Sequence, residues 1–405
     1  MKQIRMAVCG AGRRGSHVTL NVICALEGVQ VVSVCDLREE NARQLADQIE
    51  EKTGSRPCVY SEYRQMFEEA KPDAVFVATS FDSHCEISVC AMEMGISVGV
   101  EVGGSAGEAE CRKLIDAYER TKTPFMFLEN CCYGKDELLA ASLAARGVLG
   151  QVVYCHGAYM HDCRELICRG AGKEYNFRFD EWTKSNADIY PTHDLGPIAK
   201  ILNINRGNRM VSLSSRASCA AGTHEYISQR EELANIRDHV FRQGDVVETI
   251  ISCENGELIN LRLECTLPTY YSRELTVHGT KGLYQQDCNA VILDGPDEES
   301  RKLLNNINSA EKYYEEYLPD LWKNVDKAAL EAGHGGMDYI MFRSFVEALR
   351  AGEEMPIDVY DAAAWMSITY LTEQSIAQGG ASVEIPDFTD GKYKERKPRP
   401  VVEFN

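Results

Sequence analysis

Short apolar runs punctuate the first 130 residues at a spacing that decides the fold. Residues 4–9, 29–35, 74–78, 96–100 and 125–128 are rich in Val, Ile, Phe and Ala with little polar alternation. That is the pattern of strands covered on both faces. Between them, residues 39–51, 84–94 and 106–120 place apolar side chains at helical spacing and charges on the opposite face. Strand–helix alternation predicts a doubly wound parallel α/β sheet with right-handed crossovers.

From Gln151 the texture changes. Residues 152–159, 210–218, 246–253, 257–265, 274–278 and 282–286 read as strands, several parted by glycine turns at Asn255-Gly256, Gly279 and Gly282. This predicts a mostly antiparallel open sheet in an α+β region. Helices are expected over 194–202, 338–350 and 359–377. The polar stretch 295–316 has few apolar anchors and is expected to cover surface, and the basic run 392–399 reads as a solvated end.

Two domains fit 405 residues. The division expected is 1–130 for a nucleotide-binding unit, 131–390 for a substrate-binding unit and 391–405 for a tail. A net charge of −19 argues against nucleic acid or an anionic membrane as partner, since both select basic surfaces. No apolar run reaches the roughly 18 residues of a membrane span, and the first residues lead straight into a strand, so a cytoplasmic protein is expected. Sixteen cysteines are scattered along the chain, which reads as reduced, mostly buried thiols rather than a disulfide scaffold. Cys131 and Cys132 are adjacent and Cys163/Cys168 lack zinc-knuckle spacing, so no metal site is expected.

Gly10-Ala11-Gly12-Arg13-Arg14-Gly15 follows the first strand and opens a helix, as a dinucleotide-binding turn requires. The glycines permit the tight turn, the approach of a pyrophosphate and close helix packing, while the helix N-terminus offers free N–H groups. Asp36 ends the next strand and is placed to take both ribose hydroxyls of NAD and to repel the extra phosphate of NADP. The competing role for Asp36 is a helix cap. Thr79 and His84 follow the strand beyond the switch point of a Rossmann sheet. His84 reads equally as a surface helix residue. Glu101 and Asn130 end further strands on the same edge.

Alternation along residues 159–164 sends Tyr159 and His161 to one face, with Asp162 and Arg164 positioned to pair. In Tyr190-Pro191-Thr192-His193 an imidazole stands at a helix start, where the dipole disfavours its cationic form and suits it to act as a neutral base. Gly333-His334-Gly335-Gly336-Met337-Asp338 is a glycine-rich approach to a helix, fit for a ligand loop or a plain turn.

These motifs together, with Glu129-Asn130-Cys131-Cys132-Tyr133, Asn203 to Arg209 and Ile385-Pro386-Asp387-Phe388, resemble glycoside hydrolase family 109 of the Gfo/Idh/MocA oxidoreductase group. The resemblance runs from near residue 5 to near 395. It implies an NAD-dependent retaining glycosidase, first described for α-N-acetylgalactosaminides. Bound NAD⁺ would oxidise the sugar at C3, a base would remove the acidified C2 proton, and the aglycone would leave by elimination before water adds and the hydride returns. Carried over by position, Tyr159 is the C2 base and His193 handles the C3 hydroxyl. Tyr190 and Tyr271 contact substrate with His161, Glu101 lies beside the nicotinamide ribose, and Lys184 stands in for an arginine that follows the matching tryptophan. Val102 replaces the lysine that oxidoreductase relatives place after this glutamate, which disfavours the alternative of a sugar or cyclitol dehydrogenase. Asp194 stands where the family often has glycine. A small-molecule glycoside is the implied partner, and assembly as a homo-oligomer stays open.

Overall fold

In the computed structural model, residues 3–173, 176–325, 330 and 333–403 are described. The apolar runs become a six-stranded parallel sheet, β1 (Ile4–Cys9), β2 (Val29–Cys35), β3 (Cys58–Tyr60), β4 (Ala74–Val77), β5 (Ser97–Glu101) and β6 (Phe125–Leu128), in the order β3-β2-β1-β4-β5-β6. All side chains of β4, β5 and β6 are buried, which is why these segments lack alternation. Strand order reverses between β1 and β4, so their carboxyl ends frame the crevice where such sheets bind ligands.

The second half forms an eight-stranded sheet from β7 (Val152–Met160), β8 (Met210–Ala217), β9 (Val246–Cys253), β10 (Leu258–Glu264), β11 (Thr276–Gly279), β12 (Gly282–Gln285), β13 (Ala290–Leu293) and β14 (Val383–Glu384). Its order is β13-β12-β11-β7-β10-β9-β8-β14. The expected antiparallel character holds except at the centre, where β7 and β10 run parallel with Tyr159 opposite Leu263. The helix expected from Asp194 begins earlier, at Thr192, and ends at Ile201.

Helices Met337–Ala351 and Val359–Ala377 return to the parallel sheet: Phe342 meets Phe76 edge-on at 5.1 Å and Trp365 meets Phe127 at 6.3 Å. One buried apolar cluster thereby runs from the parallel sheet through these helices into the second sheet. A smaller cluster, including Tyr159, Cys163, Phe179, Trp182 and Cys265, lies at the end of β7.

The basic run 392–399 is not a solvated end. Tyr393 is buried, and Arg396 pairs with Glu354 and Asp358 while Lys392 reaches Glu119. Acidic groups at the surrounding helix ends attract this run, a complementarity that position near the end of the sequence hides. Residues 295–316 form short single turns, largely exposed, as expected. Among the described residues no helix is long and apolar enough to cross a membrane.

Candidate active site

The turn after β1 can be built only with glycine at two places. Gly10 has φ +96°, and a Cβ there would lie 2.4 Å from the Ala78 carbonyl oxygen; on Gly15 it would lie 1.9 Å from that of Gly10. At Gly12 the surroundings are open, with nothing within 4 Å of an added Cβ. The helix Arg13–Asn21 starts there without a side-chain cap and without an acidic residue in its first turn. Unsatisfied N–H groups and the positive dipole end therefore face free space, the arrangement a pyrophosphate takes. Asp36 is fixed at the end of β2, accepting from Ala11 N–H at 2.8 Å and Arg38 N–H at 2.9 Å. These residues fit an NAD-type dinucleotide.

Arg13 is exposed beside this turn, whereas Arg14 points inward and binds Glu101 at 2.9 Å. Burial raises the Glu101 carboxyl, and Arg14 opposes that rise. Thr79 follows β4, and its carbonyl accepts from His84 Nε2 at 3.1 Å. His84 is thus no surface residue: it is buried, and burial lowers its pKa to about 4, keeping the ring neutral. Asn130 follows β6 and donates to Asp338 at 2.8 Å.

Facing this cradle is an aromatic cluster. Tyr159, the penultimate residue of β7, stacks on Tyr190 with ring centroids 4.9 Å apart and planes 16° off parallel. His193 lies 5.2 Å from Tyr159 and 5.0 Å from Tyr190, and Tyr271 packs edge-on against His161 at 5.2 Å. The Tyr159 hydroxyl and His161 Nδ1 share a hydrogen bond at 2.9 Å. Burial pushes the phenol well above its usual range, so it holds its proton at neutral pH unless a neighbour takes it. His161 is that neighbour. Its pKa is raised, chiefly by Cys163, whose own thiol is lowered to about 5 by Cys265 and then by His161.

His193 Nδ1 donates to Glu129 Oε1 at 2.7 Å, and the Glu129 side chain is wholly buried (0% exposed). Burial works against the Glu129 charge, but His193 and Thr192 outweigh it and hold the carboxyl below its ordinary value. With the Nδ1 proton committed to Glu129, the neutral ring leaves Nε2 as its acceptor. Gly196 makes this approach possible, since a Cβ there would lie 2.9 Å from Glu129 Cγ. Ligand atoms of Glu129, Cys131 and His193 lie within 4.8 Å of one another, a spacing a metal ion could bridge. Burial raises the Cys131 thiol well above its ordinary value, and the hydrogen bond formed within the group is the imidazole–carboxylate contact of His193 and Glu129.

Asp162 and Arg164 form a local ion pair at 2.6 Å, leaving Tyr159 and His161 to the site. Lys184 is not brought into it. Its ammonium is exposed and pairs with Asp180 at 3.1 Å in the same helix turn. Two other cations stand near the cluster: Arg273 donates to the Tyr271 hydroxyl at 3.0 Å, and Arg178 lies in the helix Phe177–Lys184 that Asn176 caps. Arg178 acts electrostatically on Tyr190, His161 and Cys163, and sequence reasoning missed it. The Asn-x-Arg string at a helix start was the available signal. Asp194 is buried facing β7, with both carboxylate oxygens unpartnered, against a gap left by Gly157. Burial, then the Asp188 charge, raises it far above the normal carboxyl range.

A model of the C-terminal domain of glycosyl hydrolase 109 matches residues 133–395, and one of the oxidoreductase family NAD-binding Rossmann fold matches residues 4–127. The chain belongs to glycosyl hydrolase family 109. A family 109 protein of Stenotrophomonas maltophilia is 34% identical, with 98% of this chain and 91% of that one covered. An α-N-acetylgalactosaminidase of Tannerella forsythia is 33% identical over 98% of this chain and 88% of its own. The fold alone is shared with an oxidoreductase from Agrobacterium radiobacter crystallised with NAD⁺, L-tartaric acid and magnesium. That likeness has a TM-score of 0.67 at 15% identity and covers 95% of this chain and 99% of that one. This family 109 protein is therefore an NAD-dependent glycosidase, and the dehydrogenase alternative has less support.

Proposed function

We propose that the sugar of an α-N-acetylgalactosaminide, or a close acetamido-sugar relative, binds across Tyr159, Tyr190, Tyr271 and His193. The hydride-accepting and hydride-returning chemistry comes from NAD on the Gly10–Gly15 turn. His193 takes the proton of the sugar hydroxyl at C3 through Nε2, while Glu129 holds Nδ1–H and stabilises the imidazolium that forms. Tyr159 takes the C2 proton once its own has passed to His161. A phenol of pKa about 10 lies roughly 4 kcal/mol from ionisation at pH 7, and the Tyr159 site is worse than that. The Tyr159–His161 contact at 2.9 Å carries this reading, because it supplies an acceptor on the spot. Loss of the C2 proton expels the aglycone from C1; Tyr159 exchanges the abstracted proton with solvent and then protonates C2 as water adds at C1.

Arg178 supplies the positive charge near Tyr190 that was sought in Lys184. The name of the Tannerella forsythia relative supports the acetamido sugar. The test is release of the aryl group from an aryl α-N-acetylgalactosaminide in D₂O, with NAD bound and after its removal. Expected are deuterium at C2 of the product and no net NADH. Cleavage that persists undiminished in the stripped protein overturns the route.

A further inference from the structure

The segment 271–273 is laid along β7 beside Tyr159. The Arg273 carbonyl accepts from Ala158 N–H at 2.7 Å, and Ser272 and Met160 exchange two backbone hydrogen bonds of 3.1 Å. Met160 and Ser272 thereby form an antiparallel bridge next to the phenol. Residues two apart in an extended stretch share a face, which sets Tyr271 and Arg273 on one side. Arg273 Nη1 donates to the Tyr271 hydroxyl at 3.0 Å, and Arg273 Nε donates to Glu137 Oε1 at 2.6 Å.

This row is anchored at one end and open at the other. Exposure is 1% for the Glu137 side chain, 10% for that of Arg273 and 49% for Tyr271. Gln286 adds a second donor to Glu137 Oε1 at 2.9 Å. Only glycine at 134 leaves room for the carboxylate, since a Cβ there would lie 1.8 Å from Glu137 Oε2. An arginine can donate but not accept, so the Tyr271 oxygen is the acceptor in its contact and the phenolic hydrogen turns away from the guanidinium. Loss of hydration raises the Tyr271 pKa, and the phenol keeps that hydrogen at neutral pH. Tyr271 thus carries a directed donor, with its ring 6.3 Å from Tyr159 and 5.2 Å from His161.

We infer that Arg273, held by Glu137, is the positioning residue that makes Tyr271 a hydrogen-bond donor to the carbonyl of an acylamino group at C2 of the sugar. The inference rests on the proposed work of Tyr159 at C2, because the carbon that Tyr159 deprotonates brings its substituent against the neighbouring ring of Tyr271. An amide carbonyl accepts more strongly than a hydroxyl. A fixed donor therefore favours an acetamido sugar over its 2-hydroxy counterpart.

The test measures free N-acetylgalactosamine and free galactose as competitors of aryl glycoside turnover by the full-length holoenzyme. Wild type is expected to bind N-acetylgalactosamine at least about 10-fold more tightly. Arg273→Lys keeps a charge for Glu137 but loses the planar fork that holds two acceptors at once, and it should cut the preference about 10-fold. Tyr271→Phe should cut it by the same factor, and the double variant by no more than either alone, as two residues acting through one contact require. A role confined to folding would weaken both sugars alike. Should Arg273→Lys not accumulate folded, Glu137→Gln removes the charge that anchors Arg273, and the same loss of preference is expected. An unchanged preference in the variant that folds, or losses that multiply in the double variant, overturns this inference alone. Wild type that binds galactose as tightly as N-acetylgalactosamine overturns the proposed sugar and the inference with it.

Discussion

His193 and Glu129 meet at 2.7 Å although 64 residues separate them, and the glutamate side of the contact is sealed from water. The pair fixes which ring nitrogen can accept a proton. Glu129→Gln keeps the shape and removes the charge that stabilises an imidazolium. Turnover is expected to fall about 10²–10³-fold, with the bound-cofactor absorbance unchanged. A variant of wild-type kcat would remove Glu129 from the reaction.

For Tyr159 and His161 the expected signature is a pH profile. His161 must be neutral to receive the Tyr159 proton, so activity falls as pH drops through its pKa, which Cys163 raises. Cys163→Ala removes that influence and should move the acid limb of kcat to lower pH. Tyr159→Phe should abolish C2 deuterium incorporation while leaving NAD bound.

Arg178→Ala is expected to raise KM about 10-fold with a smaller change in kcat, as loss of a charged contact to substrate would. Lys184→Ala should leave both constants at wild-type values, because its ammonium faces solvent. The reverse result would return the substrate cation to Lys184.

Burial lifts the Asp188 carboxyl to about 7. An acid whose pKa is higher folded than unfolded binds more protons in the native state between those values, so stability falls as pH rises from about 4 to 7 and then levels. The window is worth up to about 4 kcal/mol. Asp188→Asn should therefore raise the melting temperature at pH 8 and change it little at pH 4. A gain of equal size at both pH values would show that the carboxyl is not the cause.

Much of this architecture could be read in advance because β4, β5 and β6 are covered on both faces and so carry unbroken apolar runs. β3 escaped notice: three residues, partly exposed at a sheet edge, carry no periodic signal. The β7–β10 pairing is parallel across about a hundred residues, a register no local pattern encodes. Tyr159, His161, Tyr190, His193 and Tyr271 were legible as motif positions, and the fold gathers them. The placement of the cations follows from helix geometry. At about 100° per residue, Lys184 comes roughly 240° round the helix from Arg178, so the two cannot serve one face. Glu129 stands beside Asn130 in the sequence, but its contact with His193 depends on Gly196 leaving room for the Glu129 side chain.

The apolar cluster shared by both sheets has a mechanical consequence. Helix Val359–Ala377 is packed into the parallel sheet on one side and borders β8 and β14 on the other. No hinge can open between the two halves without tearing greasy surface out of its shelter. The cleft between the two halves is consequently held in one geometry, which suits a reaction that takes electrons from one carbon and returns them to the same one.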